Sequence, residues 1–166
     1  TDKLIFWGTR GGLPSGEITS AKYGLATCCV GLVLSDRHVV FDAGSGISLF
    51  GNKIETNDIK PIDIFIGHYH YDHLIGLPFF TPLFNKNRNI RVFLPNLEDR
   101  NGIDAIDKLI SPPLFPISRE MFSETVSFHS FFPGDTIELN EKCSVETSLF
   151  PHPGQNCGFR FNRFGN

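Results

Sequence analysis

His68-Tyr69-His70-Tyr71-Asp72-His73 places three imidazoles and one carboxylate within six consecutive positions. Divalent transition metals are bound by neutral imidazole nitrogens and carboxylate oxygens at about 2.0–2.2 Å, so this composition predicts a metal site. In extended backbone, residues two apart project to the same side, so His68 and His70 can clamp one ion. Asp72 and His73 fall where the chain bends away and can turn toward a second ion beside the first. A surface loop that is His-rich for no chemical reason is the weaker reading. The three imidazoles would repel one another if all were protonated, and apolar residues would fill a packing role better.

The residues just before this stretch, Ile62 to Ile66, form a short apolar run bounded by Pro61 and Gly67, which predicts a buried strand. The metal-competent residues therefore follow a strand end. Further outward, Lys3 to Trp7 reads as a first strand, followed by a Gly/Pro-rich loop, Gly8 to Gly16. Thr27 to Leu34 and His38 to Asp42 predict a hairpin around Ser35-Asp36-Arg37. Leu74 to Phe84 is expected as a helix that breaks near Pro78 or Pro82. Ile90 to Leu94 predicts a strand. The three- and four-residue spacing of Ile103, Ile106, Leu109 and Ile110 predicts an amphipathic helix over Asp104 to Ile110. Four more strands are expected at Thr125 to Phe131, Thr136 to Leu139, Cys143 to Phe150 and Gly158 to Phe161. Strands, a helix-bearing middle and further strands predict a layered α/β or α+β domain.

Composition narrows the function classes. The chain has 166 residues, 40% of them hydrophobic and 20% charged, enough to fill a core and too apolar for a disordered chain. A formal charge of -3 argues against a surface that coats nucleic acid or anionic membrane. No apolar run approaches the roughly 20 residues needed to span a bilayer, and no targeting segment is apparent, so a cytoplasmic protein is expected. Cys28 and Cys29 are adjacent and should face opposite sides of a strand; with Cys143 and Cys157 they are expected as reduced, buried thiols. The 17 phenylalanines predict a Phe-rich core.

His68-x-His70-x-Asp72-His73 resembles the signature of the metallo-β-lactamase-fold hydrolases. Phe6-Trp7-Gly8-Thr9-Arg10-Gly11 with Pro14, then Tyr23-Gly24 and Thr27-Cys28, resemble the opening of the phosphodiesterase and ribonuclease-Z-like branch. Phe41-Asp42-Ala43-Gly44-Ser45-Gly46, Leu77-Pro78-Phe79-Phe80, Pro133-Gly134-Asp135 and His152-Pro153-Gly154 follow in the family's order. Leu25-Ala26 and Gln155-Asn156-Cys157 depart from the branch pattern.

The resemblance implies an αββα sandwich, with residues 1–166 forming its N-terminal half and the start of the second half. It implies that His68, His70 and His152 bind one metal and that Asp72 and His73 bind a second. Asp42 would support the metal loop from beneath. The cofactors implied are two divalent ions, zinc first, with manganese or iron as alternatives. The implied reaction is hydrolysis of a phosphodiester by a water shared between two cations that lower its pKa to near neutral, with Asp72 orienting that water and accepting its proton. Ester, thioester or lactone hydrolysis on the same centre is the alternative within the family. The family's domain is longer, carrying a later Asp and a final His that these residues lack, so the chain is expected to be a single domain incomplete at its C-terminus. Completion by a missing segment, by a homodimer partner, or a non-catalytic metal-binding or assembly module are the expectations that follow. The implied substrate is a small molecule or a nucleotide-type compound, with no membrane partner and nucleic acid left open. Arg10, Lys86, Arg88, Arg160 and Arg163 are the cations that could compensate an anionic substrate.

Overall fold

Ile62–Phe65 is buried at all four positions and forms β4 of a central sheet. The computed structural model describes residues 2–54, 59–98, 101–122 and 124–164. Strands β1 (Lys3–Gly8), β2 (Cys29–Val33), β3 (His38–Phe41), β4, β5 (Ile90–Pro95) and β6 (Val126–Phe131) lie side by side in chain order. The first three are antiparallel neighbours and β3 to β6 run parallel. β7 (Thr136–Asn140), β8 (Cys143–Phe150) and β9 (Asn156–Arg163) form a second, antiparallel sheet.

Two cores follow from this layering. Between the sheets, Val39, Phe65, Phe93 and Phe131 of the first meet Leu139, Cys143, Val145 and Cys157 of the second. Phe159 bridges them, with its ring stacked on Phe41 at 5.3 Å and edge-on to Phe65 at 5.6 Å. On the outer face of the first sheet, Val40, Ile62, Ile64, Val92 and Leu94 pack under α1 (Gly46–Lys53), α2 (Gly102–Leu109) and the turns between them. Together these are the α, β and β layers of the αββα sandwich, described for residues up to 164. Burial of such apolar faces is the dominant favourable contribution to the fold.

The predicted strands are present to within two or three residues at each end, and α2 falls where the Ile/Leu spacing placed it. Three expectations need correction. Leu74 to Phe84 is not an α-helix but two 3-10 turns, Leu77–Phe79 and Thr81–Phe84. Pro78 and Pro82 each lack the N–H that an α-helical interior needs, and each sits early in its own short turn instead. Helix α1 was not anticipated, because Gly46 and Gly51 lower helix propensity. Its glycines are required by packing: a Cβ on Gly51 would press on the Phe80 ring, and one on Gly46 would strike the backbone of Trp7 and Gly8. The Phe-rich core holds only in part. Phe50, Phe65, Phe80, Phe93, Phe122 and Phe131 are buried, whereas Phe6, Phe79, Phe84, Phe132, Phe150 and Phe164 are exposed.

Candidate metal centre

Parallel β3 and β4 deliver their C-terminal ends to one place, and the chain leaves each through a loop rather than a continuing strand. After β4, Gly67 and His68 emerge at the sheet's edge. His70 precedes a single 3-10 turn, Tyr71–His73, whose tight winding brings Asp72 and His73 back toward the sheet. The Asp42–Gly46 turn after β3 supports this loop from below. Gly44 lies so close beneath it that a Cβ there would collide with the Asp72 carbonyl oxygen, Thr27 Oγ1 and the Cys28 carbonyl oxygen. The Ala43 N–H donates to the His73 carbonyl at 2.8 Å, and the Gly76 N–H to the Ala43 carbonyl at 2.9 Å.

His68, His70 and His152 converge, with one ligand-competent nitrogen from each ring lying within 4.8 Å of the others. His152 Nε2 is 3.2 Å from His70 Nδ1, and the His68 ring lies 4.5 Å from that of His70 and 4.6 Å from that of His152. His152 comes from the β8–β9 connection, so the two sheets each contribute to this cluster. Pro151 and Pro153 restrict the backbone on either side of it. His70 and His152 are exposed, while His68 is buried.

Asp72 and His73 form the adjoining group. His73 Nε2 faces Asp72 Oδ2 at 3.6 Å, and the His68 and His73 rings are 4.1 Å apart. The other nitrogen of His73, Nδ1, is held by Asp42 Oδ2 at 2.8 Å. Asp42 Oδ1 accepts from the Gly67 N–H, also at 2.8 Å, so one carboxylate fixes both the start of the metal loop and its last histidine. Asp42 does this from a left-handed backbone conformation, φ +63°, uncommon for a non-glycine residue and costing of order 1–3 kcal/mol. Cys28 completes the surroundings of His73; its Sγ lies within 4.8 Å of the Asp42 and His73 donor atoms. The sequence had pointed to Asp42 but not to Cys28. Its signal was the hairpin register, since pairing Val30 with Phe41 brings the residues before β2 beside those after β3.

The electrostatics separate the rings. Burial, with the charge of His73 next, pulls the pKa of His68 down to about 4. Its Nδ1 is buried without a hydrogen-bond partner. For His73 burial opposes the charged form, but hydrogen bonds to Asp42 and Cys28 outweigh it and raise the pKa to about 10. Burial also opposes the charge of Asp72, yet the Gly12 N–H, 2.9 Å from Oδ2, and the nearby His73 charge hold its carboxyl below its usual range. The Gly8–Gly16 loop thus lies directly against the site. A neutral, buried imidazole with an unpartnered nitrogen, clustered with two further imidazoles and an ionised carboxylate, fits a divalent transition ion.

His38 and His129 lie in β3 and β6, away from this cluster. His38 is edge-on to Phe50, and His129 is stacked on Phe93. Cys29, Cys143 and Cys157 are free and buried. Among the described residues, no helix is long and apolar enough to cross a membrane.

The layered αββ arrangement and the His/Asp cluster at its strand ends define a metallo-β-lactamase-fold domain. The Metallo-beta-lactamase superfamily model matches residues 26–116, and the chain belongs to that superfamily. It is 27% identical over 154 residues to a ribonuclease Z of Thermoplasma volcanium, covering 91% of this chain and 45% of that protein. The chain thus spans less than half the length of this curated relative. Among solved structures it resembles the metallo-beta-lactamase fold protein YhfI from Bacillus subtilis, with TM-score 0.69 and 16% identity over 98% of this chain and 58% of that one. The short form of human tRNase Z gives TM-score 0.64 and 19% identity over 98% of this chain and 65% of that one.

If Asp42 orients His73 for a metal, Asp42→Asn should weaken metal affinity about 10–100-fold, the usual effect of removing a carboxylate behind a ligating histidine. Competition against a chromophoric zinc chelator measures this directly. An unchanged affinity would show that Asp42 serves only the turn.

Proposed function

We propose that this chain carries the metal-binding face of a metal-dependent hydrolase acting on phosphodiesters. One observation carries the reading: His68, His70 and His152, drawn from two different sheets, bring their nitrogens within 4.8 Å of one another beside Asp72 and His73. In this proposal the three histidines hold one divalent ion, and Asp72 and His73 hold a second. Divalent ions held there would supply Lewis acidity and would lower the pKa of a bound water to near neutral. Asp72, kept ionised by the Gly12 amide, is the carboxylate that orients the attacking water and accepts its proton. Asp42 keeps His73 facing Asp72 through its hydrogen bond to Nδ1. Residues 1–166 are read as one domain, since both sheets contribute to the same site.

Zinc is the first choice of ion, because imidazole ligands suit it, with manganese and iron as alternatives. The phosphodiester class is supported by the ribonuclease Z name of the curated relative and by the tRNase Z among the structural neighbours. Bis-p-nitrophenyl phosphate provides the test. Turnover should vanish on chelation and return when zinc or manganese is restored. Chelator-resistant turnover, or hydrolysis confined to a neutral ester such as p-nitrophenyl acetate, would refute the phosphodiester reading.

A further inference from the structure

Five cations were considered above as partners for an anionic substrate, and the fold distinguishes them. Arg160 pairs with Glu146, Arg163 with Asp2 and Asp36, and Lys86 with Glu124. Arg88 is buried. Among the described residues, Arg10 alone of the five is neither buried nor paired with a carboxylate. Its Nε is withdrawn from solvent and makes no hydrogen bond. A half-buried guanidinium without a carboxylate partner is poorly compensated, and an anionic ligand supplies the missing charge.

The position of Arg10 suits such a ligand. It lies two residues before Gly12, whose N–H donates to Asp72, so it sits on the same loop that touches the metal-binding face. Its backbone is fixed there: the Arg10 N–H donates to the Ala26 carbonyl, and residue 10 forms a bridge to Thr27, beside Gly44 under the metal loop. Thr9, Arg10, Tyr23 and Gly24 line a cleft at this place. The Thr9 hydroxyl donates to the Tyr23 carbonyl at 2.7 Å and holds the two cleft walls together. The Tyr23 ring is 72% exposed, and Lys22 Nζ lies 5.1 Å from its centroid.

We infer that this cleft is a substrate-binding subsite for a nucleotide-type phosphodiester, with Arg10 holding a phosphate oxygen pair and Tyr23 stacking on the adjoining base. The planar guanidinium fork matches two phosphate oxygens, and an exposed aromatic ring accepts any base face. Lys22 adds positive charge at the rim. This deepens the phosphodiester reading and rests on it.

The test compares the metal-loaded parent protein with Arg10→Ala and Arg10→Lys. Calorimetry with adenosine 5′-monophosphate gives a binding constant independent of turnover, while bis-p-nitrophenyl phosphate gives a KM value. Arg10→Ala should weaken nucleotide binding and raise the diester KM roughly 10–100-fold, as expected for loss of hydrogen bonds to a charged group. Metal content should be unchanged. Arg10→Lys should recover only part of the loss, because it restores charge without the fork. Failure of the parent protein to bind the nucleotide, or equal binding by parent and Arg10→Ala, overturns the subsite. Nucleotide binding that depends on Arg10, without diester hydrolysis, overturns the hydrolase reading and leaves the subsite standing.

Discussion

Alanine at His70 or His152 is expected to abolish most diester hydrolysis and strip the first ion. Both side chains are exposed, so removing either leaves no cavity in a core. On the proposed reading each variant would lose a ligand to an ion whose stabilisation of developing charge would amount to several kcal/mol. Each 1.36 kcal/mol of barrier is tenfold in rate, so turnover should fall by about 10³-fold or more. Metal analysis of the same samples should show the loss alongside the rate, and circular dichroism should show an unchanged fold. Retention of both metal and rate in His152→Ala would remove the second sheet from the site.

The largest expected effect on stability lies elsewhere, at Asp63 in the middle of β4. Its side chain is 0% exposed and faces the space between the sheets. Arg37 Nη1 reaches Oδ2 at 2.7 Å, and Arg91 Nε, directly across on β5, reaches Oδ1 at 2.6 Å. Arg91 also donates to the Leu139 carbonyl of β7, so the group ties the two sheets together. Removing one member of a buried ion group leaves the others uncompensated and costs about 3–5 kcal/mol. Asp63→Ala should therefore lower Tm by roughly 10 °C, at 2–4 °C per kcal/mol for a chain of this size. Urea unfolding at constant m checks it. A midpoint matching the parent protein would show that water satisfies both arginines without Asp63.

The convergence of His68, His70, Asp72 and His73 was legible in the sequence because these residues are nearly contiguous and follow a strand. Extended spacing put His68 and His70 together, and the bend after them put Asp72 beside His73. His152 was legible only through the family resemblance, since a lone histidine carries no local pattern and reaches the site across 82 residues of chain. Cys28 and Arg10 became visible only with the hairpin register and the loop folded over Asp72. Asp63 was masked by the apolar run around it, which correctly signalled a strand but hid an ion group paired through neighbouring strands. The error at Leu74 to Phe84 has a local cause: two prolines four residues apart favour short 3-10 turns, where apolar spacing alone suggested a longer helix.

Anomalous diffraction at the zinc edge, from crystals of the zinc-loaded protein, tests whether these five side chains hold two ions. One anomalous peak is expected among His68, His70 and His152, and a second beside Asp72 and His73. Zinc bound elsewhere with these five side chains unliganded, or no peak at saturating zinc, would contradict the two-ion reading.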